Sequence, residues 1–373
     1  MPIYLDNNAT TRMDARVLEA MLPYLSGPYG NASSLHRYGR AARDAVETAR
    51  AQVAALVGAQ SGELIWTSGG TESNNLAIKG VTESAEPTRV LYGITDHPAV
   101  METAESLKLR GWGVEAIAVN HDGVVDWMAF ADQVAHGPVR LVSLMRANNE
   151  TGVIQDVARA VTPVRAAGAC LHVDAVQAAG KIPVDFAELG CDLMSLSSHK
   201  IYGPKGIGAL IVRSEVELSP LHHGGAQERG LRGGTENVAA IVGFGAAAEL
   251  AVTELEARAA HALKLREQLE QGLRELRGIE IFGAGSERLP NTLQFAVHGY
   301  DGEALLMQLD RKGIAVSSGS ACASGKGEPS HVLIGMGIPR ETAKGAIRVS
   351  LGQDNVEADI AQFLTAIKTF VPA

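Results

Sequence analysis

Helix and strand patterns alternate along the first half of the chain. Short apolar or β-rich runs recur between helical stretches over residues 14–214, for example at residues 89–94, 139–146, 192–196 and 208–212. Successive strands that are separated by helices pair in parallel through crossovers, and the crossover helices cover both faces of the sheet. The alternation therefore predicts an α/β fold with a mostly parallel, doubly wound sheet.

The pattern changes in the C-terminal part of the chain. A long helix is predicted over residues 237–277, with Ala and Leu on one side and charged residues on the other, ending at Gly278. Strand-like runs follow, among them residues 279–282, 292–297 and 346–350. This pattern predicts a small α+β domain that the long helix connects to the first domain.

The composition excludes several classes of function. The 373 residues include 42 acidic and 33 basic side chains, so a net charge of −9 leaves no basic face for nucleic acid. No apolar run approaches the roughly 20 residues of a membrane span, and the N-terminus lacks the features of a signal peptide. Three cysteines, at positions 170, 191 and 322, form neither a disulfide framework nor a metal-binding spacing. We expect a cytoplasmic protein that binds no nucleic acid, membrane or metal.

A lysine follows one of the predicted buried strands directly. This strand stops at Ser197-Ser198-His199-Lys200. Burial at a strand end lowers the pKa of a lysine and makes its amine nucleophilic enough to form a Schiff base. The neighbouring hydroxyl and imidazole groups can bind a phosphate, and pyridoxal phosphate (PLP) needs both an amine and phosphate donors. A solvated lysine at an ordinary strand end is the competing interpretation.

Asp174 ends another predicted strand, 26 residues before Lys200. Ligands of open α/β sheets bind at the carboxyl ends of strands, where a buried carboxylate would keep the pyridine nitrogen of PLP protonated. Gln177, one turn further on, would donate to the phenolic oxygen of the ring. The structural alternatives are an Asp that caps a helix starting at Ala175 and a Gln that faces solvent.

A small-residue turn offers a place for the phosphate. Ser68-Gly69-Gly70-Thr71-Glu72 follows a strand and opens a helix, so backbone N–H groups can reach an anion at the positive helix end. Thr71 and Glu72 fit equally well as capping residues. Together with Lys200 and Asp174, the turn predicts a phosphate cradle, a lysine and a ring-nitrogen partner in one domain.

Further polar residues are candidates for the same site. His97 follows a predicted strand and would stack on a cofactor ring and move protons, unless it is a structural loop histidine. Asn148 and Asn149 lie in a turn, and one of their two amides would lie near the ring oxygen or the substrate. Arg348 interrupts an apolar strand pattern, where a substrate carboxylate or an internal ion pair would satisfy its charge.

The three cysteines differ in their surroundings. Cys170 and Cys191 lie in or beside apolar strands, where a free Cys usually behaves as a small buried hydrophobe. Cys322 lies in a Gly/Ser-rich stretch, residues 317–327, that is predicted to be a mobile, exposed loop. An exposed thiol is prone to oxidation, so we interpret Cys322 as a nucleophile carried on this loop.

These motifs resemble, nearly end to end, those of the cysteine desulfurases of the NifS/IscS type, PLP enzymes of the class V aminotransferase family. Beside the Lys200 and Asp174 motifs, the matching segments are residues 4–11, 30–34, 68–74, 229–237, 317–324 and 328–333. The extended loop around Cys322 resembles the group I form. The resemblance implies PLP fold type I. Its large domain, residues 15–255, would contain a mostly parallel seven-stranded sheet, and residues 1–14 and 256–373 would form the small α+β domain with the Cys322 loop.

The resemblance also implies how the ring of PLP is bound. Lys200 would bind PLP covalently and, once released by the substrate, move the α-proton. Asp174 would pair with the pyridine nitrogen, and His97 would stack on the ring and take part in catalysis. Gln177 and Asn148 would lie near the ring oxygen, where Asn148 would also contact the substrate.

Further residues are implied for the phosphate, the substrate and the sulfur. Four residues at strand and helix ends would bind the phosphate: Gly70, Thr71, Ser197 and His199. Thr235 would reach the same phosphate from the other subunit of a homodimer. Arg348 would hold the carboxylate of L-cysteine, and Cys322 would receive its sulfur as a persulfide, leaving L-alanine. An acceptor protein such as an iron–sulfur scaffold would then take the sulfur.

Other functions stay open beside this one. The housekeeping desulfurases that dock an iron–sulfur scaffold have a longer C-terminal tail than this chain, and residues 329–331 favour the nitrogen-fixation branch. A selenocysteine lyase and a class V aminotransferase that leaves sulfur untouched are enzymatic alternatives, although Cys322 argues against the second. A catalytically silent PLP-fold partner or regulator is a different class, which the set of Lys200, Asp174 and Cys322 argues against.

Overall fold

The computed structural model describes residues 2–27, 29–318 and 328–371, so Cys322 lies outside the described residues. The strands in chain order are β1 (Ile3–Tyr4), β2 (Leu64–Thr67), β3 (Arg89–Gly93), β4 (Gly113–Ile117), β5 (Val139–Met145), β6 (Cys170–Asp174), β7 (Leu193–Ser197), β8 (Gly208–Val212), β9 (Ile279–Ile281), β10 (Thr292–Val297), β11 (Ile314–Ala315) and β12 (Ala346–Ser350). The helices are α1 (Ala15–Ser26), α2 (Arg37–Leu56), α3 (Gly70–Thr82), α4 (Pro98–Ser106), α5 (Trp127–Ala135), α6 (Ala158–Ala166), α7 (Phe186–Leu189), α8 (Val238–Thr253), α9 (Leu255–Arg274), α10 (Gly302–Arg311), α11 (His331–Gly335), α12 (Arg340–Lys344) and α13 (Glu357–Lys368).

The largest sheet has seven strands in the order β2-β8-β7-β6-β5-β3-β4. From β7 to β4 every neighbouring pair is parallel, whereas β8 is antiparallel to both β7 and β2. The strands of a sheet that is covered on both faces are nearly continuous apolar runs, and all five residues of β7 and of β8 are buried. The prediction of a mostly parallel seven-stranded sheet is confirmed.

Helices cover both faces of this sheet. On one face, Leu76 of α3 and Val100 of α4 pack in one buried cluster with Val90 of β3. On the other face, α2, α5, α6 and α8 contribute to a larger cluster, with Phe130 of α5 and Phe244 of α8 fully buried. Burying apolar side chains on both faces supplies most of the stability of such a domain.

A second core lies in the C-terminal part. The antiparallel sheet β12-β10-β9 packs with α9, α10 and α13 around Leu269, Phe295, Leu305 and Phe363. The strand β1, close to the N-terminus, joins this part by pairing in parallel with β11. The division into residues 15–255 and residues 1–14 with 256–373 stays a prediction.

The single helix predicted over residues 237–277 is wrong. Two helices, α8 and α9, are separated at Glu254 by a bend of 72°. The Glu254 carboxylate accepts hydrogen bonds from Arg16 and Arg258, which fixes it at the bend. The helix α8 is buried on several sides in the large core, whereas only one stripe of α9 packs on the second core, so the two helices follow different surfaces.

Within the described part of the chain, no single helix is long and apolar enough to cross a membrane, although α8 and α9 taken together have sufficient length and apolar composition. No group of three or more His, Cys, Asp or Glu side chains within residues 2–27, 29–318 and 328–371 is placed to hold a metal ion.

Candidate active site

A cavity of about 340 Å³ opens at the carboxyl ends of β5, β6 and β7. This volume lies in the range of small-molecule sites. Nine of the residues that the sequence predicts for the site line the cavity: Gly70, Thr71, His97, Asp174, Gln177, Ser197, His199, Lys200 and Arg348. The fold thus brings together residues that are up to 278 positions apart in the sequence.

Lys200 lies at the end of a short 3₁₀ turn that follows β7. Its Nζ donates to the main-chain oxygens of Asn8, at 2.6 Å, and Ala9, at 2.7 Å. The N-terminal segment that provides these oxygens is itself bound to the turn, because the N–H of Thr11 donates to the oxygen of His199. The lysine amine is therefore held at the cavity wall by carbonyl oxygens, and it is not a solvated lysine at a strand end.

Asp174 is buried at the end of β6. One carboxylate oxygen accepts from the side-chain amide of Asn74 at 2.7 Å, and the other accepts from the N–H of Val176 at 3.0 Å. Turns follow Asp174 over residues 176–180, so the alternative of a cap on a helix starting at Ala175 is wrong. The carboxylate stabilises a turn and keeps a place on the cavity wall.

A buried histidine lies behind Asp174 within the sheet. His172 is fully buried, and its two ring nitrogens contact the hydroxyls of Ser143, at 2.8 Å, and Ser195, at 2.9 Å. Burial lowers the pKa of His172 to about 4, while the nearby Asp174 opposes that shift. The ring is therefore neutral at pH 7 and braces β5, β6 and β7 directly below the site.

The Gln177 side chain is buried and does not face solvent. Its Nε2 donates to the main-chain oxygen of Asn8 at 2.9 Å, and its Oε1 accepts from Nζ of Lys181 at 2.5 Å. The same Asn8 oxygen also accepts from Lys200. The amide nitrogen of Gln177 and the amine of Lys200 thus converge on one carbonyl oxygen.

A second part of the cavity wall, formed by the start of α3 and Ser197 and called the anion end below, is suited to an anion. The helix α3 begins at Gly70, and Gly69 before it provides no side-chain cap. A Cβ on Gly70 would lie 2.9 Å from Cγ2 of Val176, so a glycine lets the helix end come this close to the turn after β6. The buried hydroxyl of Ser197 has no partner within the described residues. Backbone donors at a helix N-terminus and an available hydroxyl are groups that bind phosphate.

Neighbouring side chains at this end have partners of their own. Glu72 accepts from the N–H of Ser68 at 2.7 Å and pairs with Arg232, so Glu72 is a capping residue. Thr71 is exposed. The ring of His199 contacts the hydroxyl of Thr10 at 3.1 Å. Burial, helped by nearby lysine charges, lowers the pKa of His199 to about 4, so the ring is neutral at pH 7.

His97 combines a structural role with a place in the cavity. Its Nδ1 accepts the N–H of Ala99 at 3.0 Å and caps α4, so the neutral ring carries its proton on Nε2. Burial lowers the pKa of His97, although the carboxylate of Asp174 opposes this shift. His97 therefore has the structural role of a helix cap, and its side chain also lines the cavity.

The two asparagines after β5 have different surroundings. The Asn148 amide is engaged inside its turn: Nδ2 donates to the oxygen of Thr95, and Oδ1 accepts the N–H groups of Glu150 and Thr151. Asn149 lines the cavity instead, and its buried Oδ1 has no partner within the described residues. The contact of Asn148 with ring oxygen or substrate stays a prediction, and Asn149 is the neighbour placed to make one.

Arg348 lies in β12 with only 2% of its surface exposed. Its Nη2 pairs with Asp6 at 2.6 Å, and its Nη1 donates to the oxygen of Asn149 at 3.0 Å. The predicted internal ion pair is therefore present. Nε of Arg348, however, is buried without a partner within the described residues, and the side chain lines the cavity.

Two predicted site residues lie elsewhere. Thr235 is exposed in the loop before α8, and the described residues that line the cavity do not include it. Cys322 lies outside the described residues. The other cysteines have raised thiol pKa values because of burial: that of Cys191, which is fully buried, rises to about 12, and that of half-buried Cys170 rises less. At pH 7 neither is a thiolate nucleophile.

Several residues of the cavity wall were not predicted as site residues. These are Asn8, Asn74, Glu150 and His331. Glu150 is buried and accepts from Ser330 at 2.5 Å, and the Nε2–H of His331 donates to the oxygen of Asp96 at 2.9 Å. In the sequence these residues are polar residues beside predicted turns. That pattern does not distinguish the wall of a cavity from a solvated loop.

The fold and the cavity together define a class of protein. It is the class of α/β enzymes that bind an anionic ligand beside a lysine amine at the carboxyl edge of a doubly wound sheet. The family model Aminotransferase class-V matches residues 3–363. The chain belongs to the class V aminotransferase family.

Individual relatives are similar over nearly the whole chain. A protein of Sinorhizobium fredii (strain NBRC 101917 / NGR234) named cysteine desulfurase is 46% identical, covering 99% of this chain and 96% of its own. The solved structure of a NifS-like protein has a TM-score of 0.92 at 40% identity, covering 99% of each chain. A structure described as SspA in complex with cysteine has a TM-score of 0.83 at 31% identity, covering 95% of this chain and all of the other.

Proposed function

We propose that this chain is a PLP-dependent cysteine desulfurase that converts L-cysteine to L-alanine and transfers the sulfur to Cys322. The observation that carries the proposal is the shared cavity of Lys200, Asp174, Arg348 and the N-terminus of α3. The two enzymatic alternatives use the same cofactor chemistry, but relatives of 46% identity named cysteine desulfurase favour desulfuration. A solved neighbour that holds cysteine supports the same substrate.

The residues of the cavity fit PLP. The unpartnered Ser197 hydroxyl and the N–H groups at the start of α3 would bind its phosphate, together with Thr71 and His199. Asp174 would face the pyridine nitrogen, and Gln177 would donate to the ring oxygen. The amine of Lys200 would attach the aldehyde in place of its present carbonyl contacts.

When bound, PLP withdraws electrons from the substrate α-carbon and stabilises negative charge there. Lys200 would take the proton from that carbon. The Cys322 thiolate attacks the substrate sulfur: a sulfur–sulfur bond forms, the Cβ–sulfur bond breaks, and its electron pair takes up a proton at Cβ. Lys200 would return a proton to the α-carbon, so the products are L-alanine and a Cys322 persulfide, and atoms and electrons balance without an added oxidant or reductant.

Arg348 is the residue that we assign to the substrate carboxylate. Its Nη groups are occupied by Asp6 and the oxygen of Asn149, while its buried Nε–H is available. A guanidinium that is fixed by an ion pair can present the remaining N–H at a defined position without losing side-chain freedom on binding. The carboxylate would also compete with Asp6 for the positive charge of Arg348.

Four further parts of the proposal concern the assembly and the cell. We propose a cytoplasmic homodimer in which Thr235 of one subunit reaches the phosphate in the other. Thr235 is exposed, and the described residues that line the cavity of its own chain do not include it, which supports this arrangement. The division into residues 15–255 and residues 1–14 with 256–373, and a sulfur acceptor such as an iron–sulfur scaffold protein, belong to the same proposal.

The test measures products from L-cysteine. The PLP-loaded protein is expected to release one L-alanine for each sulfur that is recovered as persulfide or, with added thiol, as sulfide. Cys322→Ala is expected to abolish desulfuration and leave the absorbance of bound PLP intact, with Cys170→Ala as the matched control that retains activity. Full sulfur release by Cys322→Ala would contradict the assignment of the nucleophile.

The same assay separates the alternatives. A keto acid that keeps its sulfur would indicate an aminotransferase, and a much higher rate on L-selenocysteine than on L-cysteine would indicate a selenocysteine lyase. A PLP-loaded protein that releases no alanine from L-cysteine would overturn the proposal in favour of a silent partner or regulator.

A further inference from the structure

We propose that Lys181 is a positioning residue of this site, which fixes the side-chain amide of Gln177 with its NH₂ group beside Lys200. The inference rests on the proposed function, because it concerns how the site presents Gln177 to PLP. Lys181 lies four residues after Gln177, and its Nζ donates to Oε1 of Gln177 at 2.5 Å.

The turn after β6 brings Lys181 back onto Gln177. Gly180, directly before it, has a φ of +73°, a left-handed conformation that favours glycine. A Cβ on Gly180 would also lie 2.7 Å from Cγ2 of Ile201, the residue after Lys200. The glycine thus lets this turn pack closely against the segment that carries the active lysine.

The bonding partners select one orientation of the Gln177 amide. An amide presents an oxygen that accepts and a nitrogen that donates, and a rotation of 180° exchanges the two. The Asn8 main-chain oxygen can only accept, so both bonds form only in the orientation in which Nε2 of Gln177 faces that oxygen and Oε1 faces an N–H of Lys181. In that orientation the NH₂ group of Gln177 shares the Asn8 oxygen with the Lys200 amine.

Lys181 also secures the segment that holds Lys200. Its Nζ donates to Oδ1 of Asn8 at 2.9 Å, and the same oxygen accepts from Asn291 at 3.1 Å. Nδ2 of Asn8 donates to Thr292 at 2.8 Å, at the start of β10. Lys181 therefore connects the turn after β6 with the N-terminal segment and with the second core.

Lys181 acts through these neighbours and does not reach the ligand. It lines a separate cavity of only about 30 Å³ behind Lys200, and the described residues that line the main cavity do not include it. Burial and the charges of Lys200 and Arg348 hold the pKa of Lys181 well below its usual value. The two bonds do not depend on that charge, because a neutral amine still has two N–H groups for the two oxygens.

The test is a double-mutant cycle on the PLP-loaded enzyme. Lys181→Met, Gln177→Ala and the double variant are compared with the wild type for PLP affinity by equilibrium dialysis and for the absorbance spectrum of bound PLP. Lys181→Met is expected to weaken PLP binding about tenfold, the factor that corresponds to a hydrogen bond of about 1.4 kcal/mol. In the Gln177→Ala background the same change is expected to cost less than about twofold.

Two further variants serve as rescue and control. Lys181→Arg keeps donors for both oxygens and is expected to recover the wild-type spectrum. Lys205→Met removes an exposed lysine, whose charge acts on His199 only through space, and is expected to leave affinity and spectrum unchanged. Thermal unfolding of each variant identifies a folding defect, in which case Lys181→Gln replaces Lys181→Met in the cycle.

The outcomes separate this inference from the proposed function. An equal loss from Lys181→Met in both backgrounds, or no loss in either, would overturn the positioning role while PLP binding by the wild type still stood. A wild-type protein that binds no PLP would instead overturn the proposed function itself.

Discussion

The two ends of the cavity are prepared in opposite ways. At the lysine end, Lys200 and Gln177 both bond to the main-chain oxygen of Asn8, and Lys181 occupies the other end of the Gln177 amide. At the anion end, the Ser197 hydroxyl is buried without a partner in the described chain, and α3 starts without a side-chain cap. A ligand must exchange existing bonds at the lysine end, whereas it supplies missing ones at the anion end.

This difference indicates how affinity and reactivity are divided. A buried hydroxyl without a partner costs about 1–3 kcal/mol, which a bound phosphate recovers. The bonds of Lys200 to Asn8 and Ala9 are already made, so exchanging them adds little affinity but keeps the amine in place for reaction. We expect the phosphate contacts at the anion end to supply most of the affinity for PLP, the Gln177 amide to contribute about a factor of ten, and Lys200 to supply the chemistry.

The largest effect is expected from removing the amine. Lys200→Ala should lower alanine production from L-cysteine by at least about 10⁴-fold, because covalent attachment and proton transfer are both lost. PLP should still bind noncovalently through the anion end, as measured by absorbance after gel filtration. Lys205→Ala, an exposed lysine five residues on, is the matched control that should keep activity. Loss of all PLP by Lys200→Ala would show that the lysine end also supplies the affinity.

The next effect concerns the loop that carries Thr235 to the proposed anion site of the partner. It follows a strained turn in which Glu228 and Arg229 have positive φ values of 46° and 59°. Buried Arg50 anchors this turn through two bonds of 2.8 Å to Glu228. Glu228→Gln leaves the Arg50 charge buried without its carboxylate and should lower the free energy of unfolding by about 3 kcal/mol, measured with urea.

Glu47 provides the control for that experiment. Its exposed carboxylate bonds to Nε of the same Arg50 at 3.1 Å. Glu47→Gln should cost less than about 1 kcal/mol, because solvent screens an exposed pair. Similar losses from both variants would mean that burial of the Glu228 pair does not anchor the loop.

A smaller effect is expected from acid, through the histidine beneath the site. The pKa of His172 is about 4 in the folded chain, below the usual value near 6.5 that applies when unfolded. At pH values between these two pKa values, the unfolded chain binds a proton on His172 and the folded chain does not. The contribution of neutral His172 to the free energy of unfolding is therefore fully present above about pH 6.5, and it falls as the pH is lowered toward 4. Between pH 7 and pH 5 the loss from this group should be about 2 kcal/mol.

Urea unfolding at the two pH values measures this loss. His172→Asn should reduce the difference between pH 7 and pH 5, whereas His136→Asn, at an exposed position, should leave it as in the wild type. An unchanged difference in His172→Asn would mean that other groups cause the acid sensitivity.

The sequence predicted the large sheet well because its strands are buried on both faces. The run at residues 208–212 is continuously apolar and the run at residues 139–146 is mostly apolar, and β8 and β5 match them within one residue. The break at Glu254 was missed because residues on both sides favour helix. The sequence feature that marks the break is a change from the mostly apolar sequence of α8 to the one-sided apolar pattern of α9. That change does not by itself predict a bend, because the bend results from tertiary packing.

Within the site, the sequence predicted residues whose side-chain chemistry is distinctive. Asp174 and Arg348 are charges within apolar strands and Lys200 is a charge directly after one, and such charges require partners. Asn8 was missed in this role because its contribution to Lys200 comes from a main-chain oxygen, which every residue has. Lys181 was missed because its partner Gln177 meets it only through the turn at Gly180.

The smallest effect tests the anion end directly. Ser197→Ala removes the unpartnered hydroxyl and should weaken PLP binding about tenfold, because one hydrogen bond to a charged phosphate is lost. Binding of pyridoxal, which lacks the phosphate, should be unchanged. Equilibrium dialysis with both compounds measures the two affinities.

Ser198→Ala is the matched control, because that hydroxyl is also buried without a partner in the described chain but lies outside the lining of the cavity. Equal losses for PLP and pyridoxal in Ser197→Ala would mean that Ser197 supports the cavity wall and does not bind the phosphate, and the division between the two ends would then be wrong.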